Sequence, residues 1–231
     1  MAILPRSLED NAINSIKKQF VTFEGIDQAG KSTQIKMLEA KLQQNSITAV
    51  LLRDPGSNNI SEKIRGILLD LENTAMSPWA ELLLYEAARA QMVTQSIEPA
   101  LQQGKLVLCD RFYDSTTAYQ GYGRHLSLDL VHEANKIGAC GRIPDLTFYI
   151  DIPVSEAIKR RRQNNLPTDR LENEGNAFLD KVRQGYLELA ANENNRIKII
   201  DGCDDIENIH DKIWKNLIIS LGGEKNNEPK I

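Results

Sequence analysis

Gly25-Ile26-Asp27-Gln28-Ala29-Gly30-Lys31-Ser32 is the stretch on which the reading of this chain turns. It follows G-x-x-x-x-G-K-[ST], the pattern of a phosphate-cradling P-loop. Its flanks give the pattern meaning. The mainly apolar run Phe20-Val21-Thr22-Phe23 before it reads as a short buried strand, and Gln34 to Leu42 after it has apolar residues at helical spacing. The glycines let backbone N–H groups turn inward and approach phosphate oxygens with no side chain between. The following helix contributes the positive end of its dipole. In this pattern Lys31 reaches the outer phosphates and the Ser32 hydroxyl ligates Mg²⁺. The segment expected to bind ATP is Gly25, Ile26, Asp27, Gln28, Ala29, Gly30, Lys31, Ser32 and Thr33. The loop implies a nucleoside triphosphate, and the rest of the chain must say what is done with it.

Composition narrows the classes. The 231 residues suffice for one α/β domain with a sizeable core, and the net charge of −4 leaves no basic surplus for a nucleic-acid backbone. Cys109, Cys140 and Cys203 form no C-x-x-C pair, and His125, His132 and His210 lack ligand spacing, which suits a reducing compartment without a zinc site. No apolar run approaches membrane-spanning length. Met1 to Arg6 is too short and too weakly apolar for a secretory signal, so a cytoplasmic protein is expected. Residues 1–17 read as an N-terminal extension, either a weak amphipathic helix through Leu8, Ile13 and Ile16 or a disordered segment. Residues 222–231 read as a flexible tail, and 18–221 as one domain.

Strand and helix signals alternate along that domain. Ala49–Leu52, Leu106–Cys109, Leu146–Ile150 and Ile197–Ile200 read as further strands, with Leu106–Cys109 central and buried on both faces. Helical spacing covers Ile60–Leu71, Trp79–Met92 and on towards Leu101, Leu128–Gly138 with Ser127 as N-cap, Val154–Gln163, Asn176–Asn192 and Ile206–Leu221. Gly104 ends the second of these. Five apolar strands alternating with helices predict a three-layer α/β fold, a parallel sheet covered on both faces. Ligands of such sheets bind beyond the carboxyl ends of the strands. That rule sets the P-loop, Arg53–Gly56, Asp110–Arg111 and Asp151 along one edge.

Several side chains at this edge suit phosphoryl transfer. Asp110, directly after a buried strand, stands where a P-loop enzyme holds Mg²⁺; a plain strand-end aspartate is the alternative. Arg111 would cross the same cleft, with guanidinium geometry that matches phosphate. Tyr85 and Arg89 share a helix face, though spacing alone favours a packed tyrosine and a solvated arginine. Lys159-Arg160-Arg161-Arg162 and Arg170 bracket the polar, proline-containing stretch Gln163–Thr168. They read either as a solvated basic face or as a mobile lid, about 159–172, that closes over the transferring phosphate.

Phe23-Glu24-Gly25-Ile26-Asp27, Arg53-Asp54-Pro55-Gly56, the run Leu82–Gln91, and above all Asp110-Arg111-Phe112-Tyr113-Asp114-Ser115-Thr116-Thr117-Ala118-Tyr119-Gln120-Gly121 resemble the thymidylate kinase family. The resemblance runs from about Gln19 to about Leu221 and includes Tyr186-Leu187-Glu188-Leu189-Ala190. It implies a P-loop nucleoside monophosphate kinase that transfers the γ-phosphoryl of ATP to dTMP, with Mg²⁺, generally as a homodimer. Carried over by position, it implies Asp27 at the deoxyribose 3′-hydroxyl, and Arg65 and Arg111 on the acceptor phosphate. Tyr85 would stack on the base, Arg89, Thr116 and Gln120 would line its edge, and Tyr119 would crowd the 2′ position. The resemblance thus reverses the reading of Tyr85 and Arg89 from spacing. Asp54 and Ser57 stand where the family often has glutamate and glycine, and Asn164–Thr168 stands where bacterial members usually have Arg-Gly. Gln28 replaces the catalytic P-loop arginine of one branch. This implies a bacterial-type arrangement with catalytic arginines from the lid, the candidates being Arg160, Arg162 and Arg170.

Overall fold

The residues Phe20-Val21-Thr22-Phe23-Glu24 form β1 (Phe20–Glu24), buried along its whole length and placed in the middle of the sheet. The chain continues as α1 (Lys31–Gln44), β2 (Ala49–Arg53), α2 (Asn59–Leu69), α3 (Pro78–Met92), α4 (Glu98–Gln102) and β3 (Leu106–Asp110). It then forms α5 (Tyr113–Thr116), α6 (Leu128–Gly138), β4 (Leu146–Asp151), α7 (Val154–Gln163), α8 (Asn176–Asn192), β5 (Ile197–Asp201) and α9 (Ile206–Leu221). This computed structural model describes residues 16, 18–165 and 170–221. Most of the expected N-terminal extension, the middle of the expected lid and the tail lie outside the described residues. Ile16 is described, and it is fully buried in the same core cluster as Leu42 and Ile47, so the core reaches back into the segment read as an extension.

The five strands are parallel throughout, in the order β2-β3-β1-β4-β5. Parallel neighbours require crossovers, here carried by helices, and strands so covered need apolar residues facing both ways. β3 meets that requirement: Leu106 and Leu108 join one core cluster with Val21 and Phe23, while Val107 and Cys109 join another with Phe20 and Met92. It is an interior strand, as expected, but β1 occupies the centre. The register aligns the strand ends, with Phe23 opposite Asp110 and Arg53 opposite Asp110 on the other side. The loops that leave β1, β2 and β3 therefore emerge side by side.

Three local features differ from the sequence reading. The helical run through α3 continues to Gln102, but a π-helical turn, Val93–Ile97, separates α3 from α4. A second π-helical turn, Thr117–Gly123, follows α5 where no helix was expected. Such turns insert an extra residue and often mark functional sites; this one carries Tyr119 and Gln120. Ser127 precedes α6, but its side chain caps nothing. Asn58 and Ser77 do cap, accepting from Ser61 N at 3.0 Å and Ala80 N at 3.2 Å. No helix among the described residues is long and apolar enough to cross a membrane.

Candidate active site

Backbone conformation explains the glycines of the loop after β1. Gly25 has φ +136°, and a Cβ there would stand 2.4 Å from the Ile150 carbonyl oxygen; Gly30 has φ +100°. Gly30 leads into α1 with no side-chain cap, so the first-turn N–H groups keep their donors for an anion. Lys31 is buried, and its Nζ donates to the carbonyls of Gly25 at 2.9 Å and Ile26 at 3.1 Å. Burial first, then the Arg111 charge, depress its pKa. Gly25 and Ile26 thus build the inner wall of the loop, whereas Asp27 through Thr33 line the cleft itself. Ser32 Oγ donates to Asp110 Oδ2 at 2.8 Å, bringing a hydroxyl and a carboxylate together beside Lys31. Both are hard oxygen donors, and a Mg²⁺ that also binds phosphates needs only one or two such protein groups. The pair therefore fits that ion, although no group of three or more His, Cys, Asp or Glu gathers among the described residues.

A second cavity opens beside the P-loop cleft. Tyr85, Arg89, Thr116, Tyr119 and Gln120 line it, together with Leu69 and Leu171. The two cavities share four wall residues: Asp27, Asp54, Arg65 and Arg111. Arg65 is anchored by donating to the Pro55 carbonyl at 3.2 Å. Arg89 is 1% exposed, the reverse of a solvated helix charge. Its Nε donates to Asp54 Oδ2 at 2.6 Å, Nη1 to Glu86, and Nη2 to Thr116 Oγ1 at 2.7 Å. A buried guanidinium without such partners would be prohibitively costly.

Arg111 sits where the cavities meet. It has φ +72°, sparsely populated for any residue but glycine. Its N–H bonds to the Phe23 carbonyl at 2.9 Å, and its side chain reaches Asp27 at 2.7 Å, the Gly25 carbonyl at 2.8 Å, and Ser115 and Tyr186 at 3.2 Å. The guanidinium also lies 5.3 Å over the Tyr119 ring. Burial opposes ionisation of Asp27, but the Arg111 and Lys31 charges outweigh it and hold the carboxyl at about 2. A phosphate cleft and a second cavity with an aromatic wall, joined by two arginines, form the architecture of a two-substrate phosphotransferase.

The family model for thymidylate kinase matches residues 23–213. The chain belongs to the thymidylate kinase family. It is 46% identical over 202 residues to the thymidylate kinase of Kosmotoga olearia, covering 87% of this chain and 96% of that protein. The thymidylate kinase of Prosthecochloris aestuarii is 45% identical over 211 residues, covering 88% and 94%. A crystal structure of the thymidylate kinase from Ehrlichia chaffeensis superposes with a TM-score of 0.69 at 32% identity, covering 86% of this chain and 97% of that one.

Within this thymidylate kinase fold, the three arginines expected from the lid part company. Arg160 lines the P-loop cleft, where it donates to the carbonyls of Gln28 at 3.2 Å and Gly202 at 2.8 Å, held from behind by Glu156. Arg162 is exposed and lines neither cavity. Arg170 lines neither cavity: it donates to the Leu68 carbonyl at 2.9 Å and pairs with Glu81 at 2.6 Å. The reason is local charge, since a buried Glu81 requires cations around it. Arg161, which the sequence reading passed over, lies close enough to Asp27 to help lower its pKa.

Other residues also escaped the sequence. Gly202, Asp204, Ile206 and Ile209 close the P-loop cleft from the side of β5 and α9. Their one signal was position, at the carboxyl end of a parallel strand. Asp151 holds that position too, but its carboxylate serves Arg183 at 2.8 Å and Tyr149, away from both cavities. Ser57 has φ +69°, a conformation natural to the glycine frequent there in the family. Its hydroxyl accepts from Arg53 N at 2.7 Å. Glu24, Glu81 and Glu86 are buried carboxylates behind the site; Glu24 and Glu86 lie within stretches that carry the resemblance but were given no role, and Glu81 lies outside them.

Proposed function

We propose that this protein transfers the γ-phosphoryl group of ATP to dTMP, giving dTDP. The observation that carries the reading is the common wall of the two cavities. Arg65 and Arg111 face both, so one pair of cations can hold the donor and acceptor phosphates against each other. The acceptor phosphate already offers anionic oxygens, so no general base is needed, and the work is alignment and charge neutralisation. ATP would lie on the backbone of Asp27 to Thr33 with Lys31 at its outer phosphates. Ser32 and Asp110 would hold Mg²⁺, which supplies further neutralisation of phosphate charge when bound. Arg160 enters from the lid side. Asp27 stays ionised at any working pH and keeps Arg111 aimed at the junction.

dTMP would occupy the second cavity, with its base beside Tyr85, its edge at Arg89, Thr116 and Gln120, and its sugar against Tyr119. The working unit in this reading is a homodimer. Family membership supports it, as do the exposed apolar residues on α2, α3 and α6, which pack side by side. The test is ADP release from Mg-ATP with dTMP, dUMP, UMP, dCMP, AMP and GMP offered one at a time. A strong preference for dTMP, with dUMP a weak second, is expected. Equal turnover of any other acceptor would overturn the assignment of the second cavity to thymidylate.

A further inference from the structure

Gln120 reaches the base cavity from the π-helical turn, yet its amide is occupied from behind. Its Nε2 donates to Glu81 Oε1 at 2.8 Å, and Gln120 and Glu81 are 1% and 0% exposed. Glu81 lies in the first turn of α3 and takes no part in the chemistry proposed above. It collects three cationic or donor groups: the Gln120 amide, Arg124 at 3.1 and 3.2 Å, and Arg170 at 2.6 Å. Burial opposes ionisation of Glu81, but these partners outweigh it and hold its pKa below the ordinary glutamate value. An ionised carboxylate only accepts. If the Gln120 amide were turned over, its Oε1 would face a carboxylate oxygen with no proton between them. The amide therefore has one orientation, which leaves Oε1, an acceptor, for the cavity.

We propose that Glu81 is a positioning residue for base selection: by fixing the Gln120 amide, it presents an acceptor beside the donor-only guanidinium of Arg89. This rests on the reading that the cavity of Tyr85 and Arg89 receives the base. An acceptor next to a donor complements a ring N–H flanked by a carbonyl, as in thymine and uracil. Cytosine offers the reverse, an unprotonated ring nitrogen beside an amino group. A site built to pair a substrate N–H rejects the analogue lacking it far better than an apolar pocket rejects a missing methyl. The Glu81 carboxylate thus selects against cytosine without touching it.

The test compares kcat/KM for dTMP, dCMP and dUMP in wild type, Glu81→Gln, Glu81→Asp and Gln120→Ala. A glutamine at 81 can donate or accept, so it satisfies either orientation of Gln120. The dTMP:dCMP ratio is expected to fall by about tenfold or more in Glu81→Gln. The dTMP:dUMP ratio stays unchanged, because those bases share the same edge, and Glu81→Asp retains selectivity. A merely structural role would lower all three substrates together and leave both ratios intact, which would overturn the proposal. Gln120→Ala separates the layers. If it abolishes discrimination while Glu81→Gln preserves it, the positioning role alone fails; if it leaves discrimination intact, the assignment of Gln120 to the base edge fails as well. The wild-type protein offers a measurement that requires no folded variant. The Gln120 side-chain NH₂ resonance, identified by its loss in Gln120→Ala, should stay protected from solvent exchange with and without dTMP. Fast exchange in either state would overturn the proposal.

Discussion

Glu24 is a fully buried carboxylate whose surroundings raise its affinity for a proton. It stands one position before the P-loop, and three oxygens meet there. Glu24 Oε2 is 2.6 Å from Ser115 Oγ and 2.9 Å from Tyr186 OH, which are 2.8 Å from each other. Both hydroxyls donate to Glu24 Oε2, and Arg111 Nη1 in turn donates to both hydroxyls. Burial first, and then the Asp114 charge, push its pKa from the ordinary 4.5 to about 7, against the pull of Arg111 and the Ser115 and Phe112 hydrogen bonds. The folded state therefore holds this proton more tightly than the unfolded chain. Its stabilising effect is complete below about 4.5 and is lost as pH rises through about 7. The slope cannot exceed about 1.4 kcal/mol per pH unit for one proton. His210 works in the opposite sense, because burial lowers its pKa and favours the neutral ring at higher pH. It is common to wild type and Glu24→Gln, so it cancels in their difference. Urea unfolding of both proteins at pH 5, 6, 7 and 8 should show the glutamine variant gaining on wild type as pH rises. A difference that does not change with pH would sink this assignment. Glu24 stood in a stretch that carries the resemblance but its role was not legible, because its environment comes from α5 and α8, far along the chain.

At the scale of elements, α3 and α6 show why helix propensity alone misleads here. Gly138 ends α6, and glycine in a helix usually costs about 0.5–1 kcal/mol relative to alanine. In this protein an alanine Cβ would lie 1.9 Å from Glu86 Oε2 and 2.9 Å from Glu86 Cβ. Glu86 is the α3 residue that holds Arg89 Nη1. Gly138→Ala should therefore destabilise by about 1–3 kcal/mol, the usual scale of overpacking. It should also raise the KM for dTMP more than it lowers kcat, because it disturbs Arg89 and leaves the P-loop alone. Thermal unfolding and steady-state kinetics check both parts, and an unchanged or raised Tm would show that α6 yields freely. The same pair of helices marks the limit of what the sequence disclosed. The interior strands β1, β3 and β4 and the long helices were legible because burial on two faces writes unbroken apolar runs and burial on one writes a period of 3.6. The half-exposed edge strands β2 and β5 were legible from their runs of aliphatic residues. The π-helical turn bearing Tyr119 and Gln120 was not, since one extra residue leaves no mark on that period. The burial of Arg89 was equally hidden. It depends on Asp54, which is adjacent only through the sheet, and resemblance to a family supplied what spacing could not.

On the scale of the whole molecule, α2, α3 and α6 leave large apolar side chains exposed, which bears on the homodimer proposed above. α2 exposes Ile60 and Ile67, seven residues apart; α3 exposes Trp79 and Leu83; α6 exposes Leu130 and Ile137. Each pair has helical spacing, so each marks one stripe, and the three helices contact one another in that order. Leu83 and Ile137 are 62% and 77% exposed, unusual for large apolar side chains repeated across adjacent elements. On α3, Tyr85 and Arg89 line the second cavity, on a different face of the helix from Trp79 and Leu83. One helix thus contributes both to the cavity and to the exposed stripe. A two-fold interface is self-complementary, so a single charge placed at its centre appears twice and meets its own copy. Leu83→Glu should therefore dissociate the proposed dimer while leaving the fold intact, because Leu83 is mostly exposed within its own copy. Sedimentation at micromolar concentration should give twice 26.0 kDa for wild type and about one copy for the variant. A wild-type protein that sediments as one copy would remove the dimer from the proposed function, and a variant that stays dimeric would move the interface to another face.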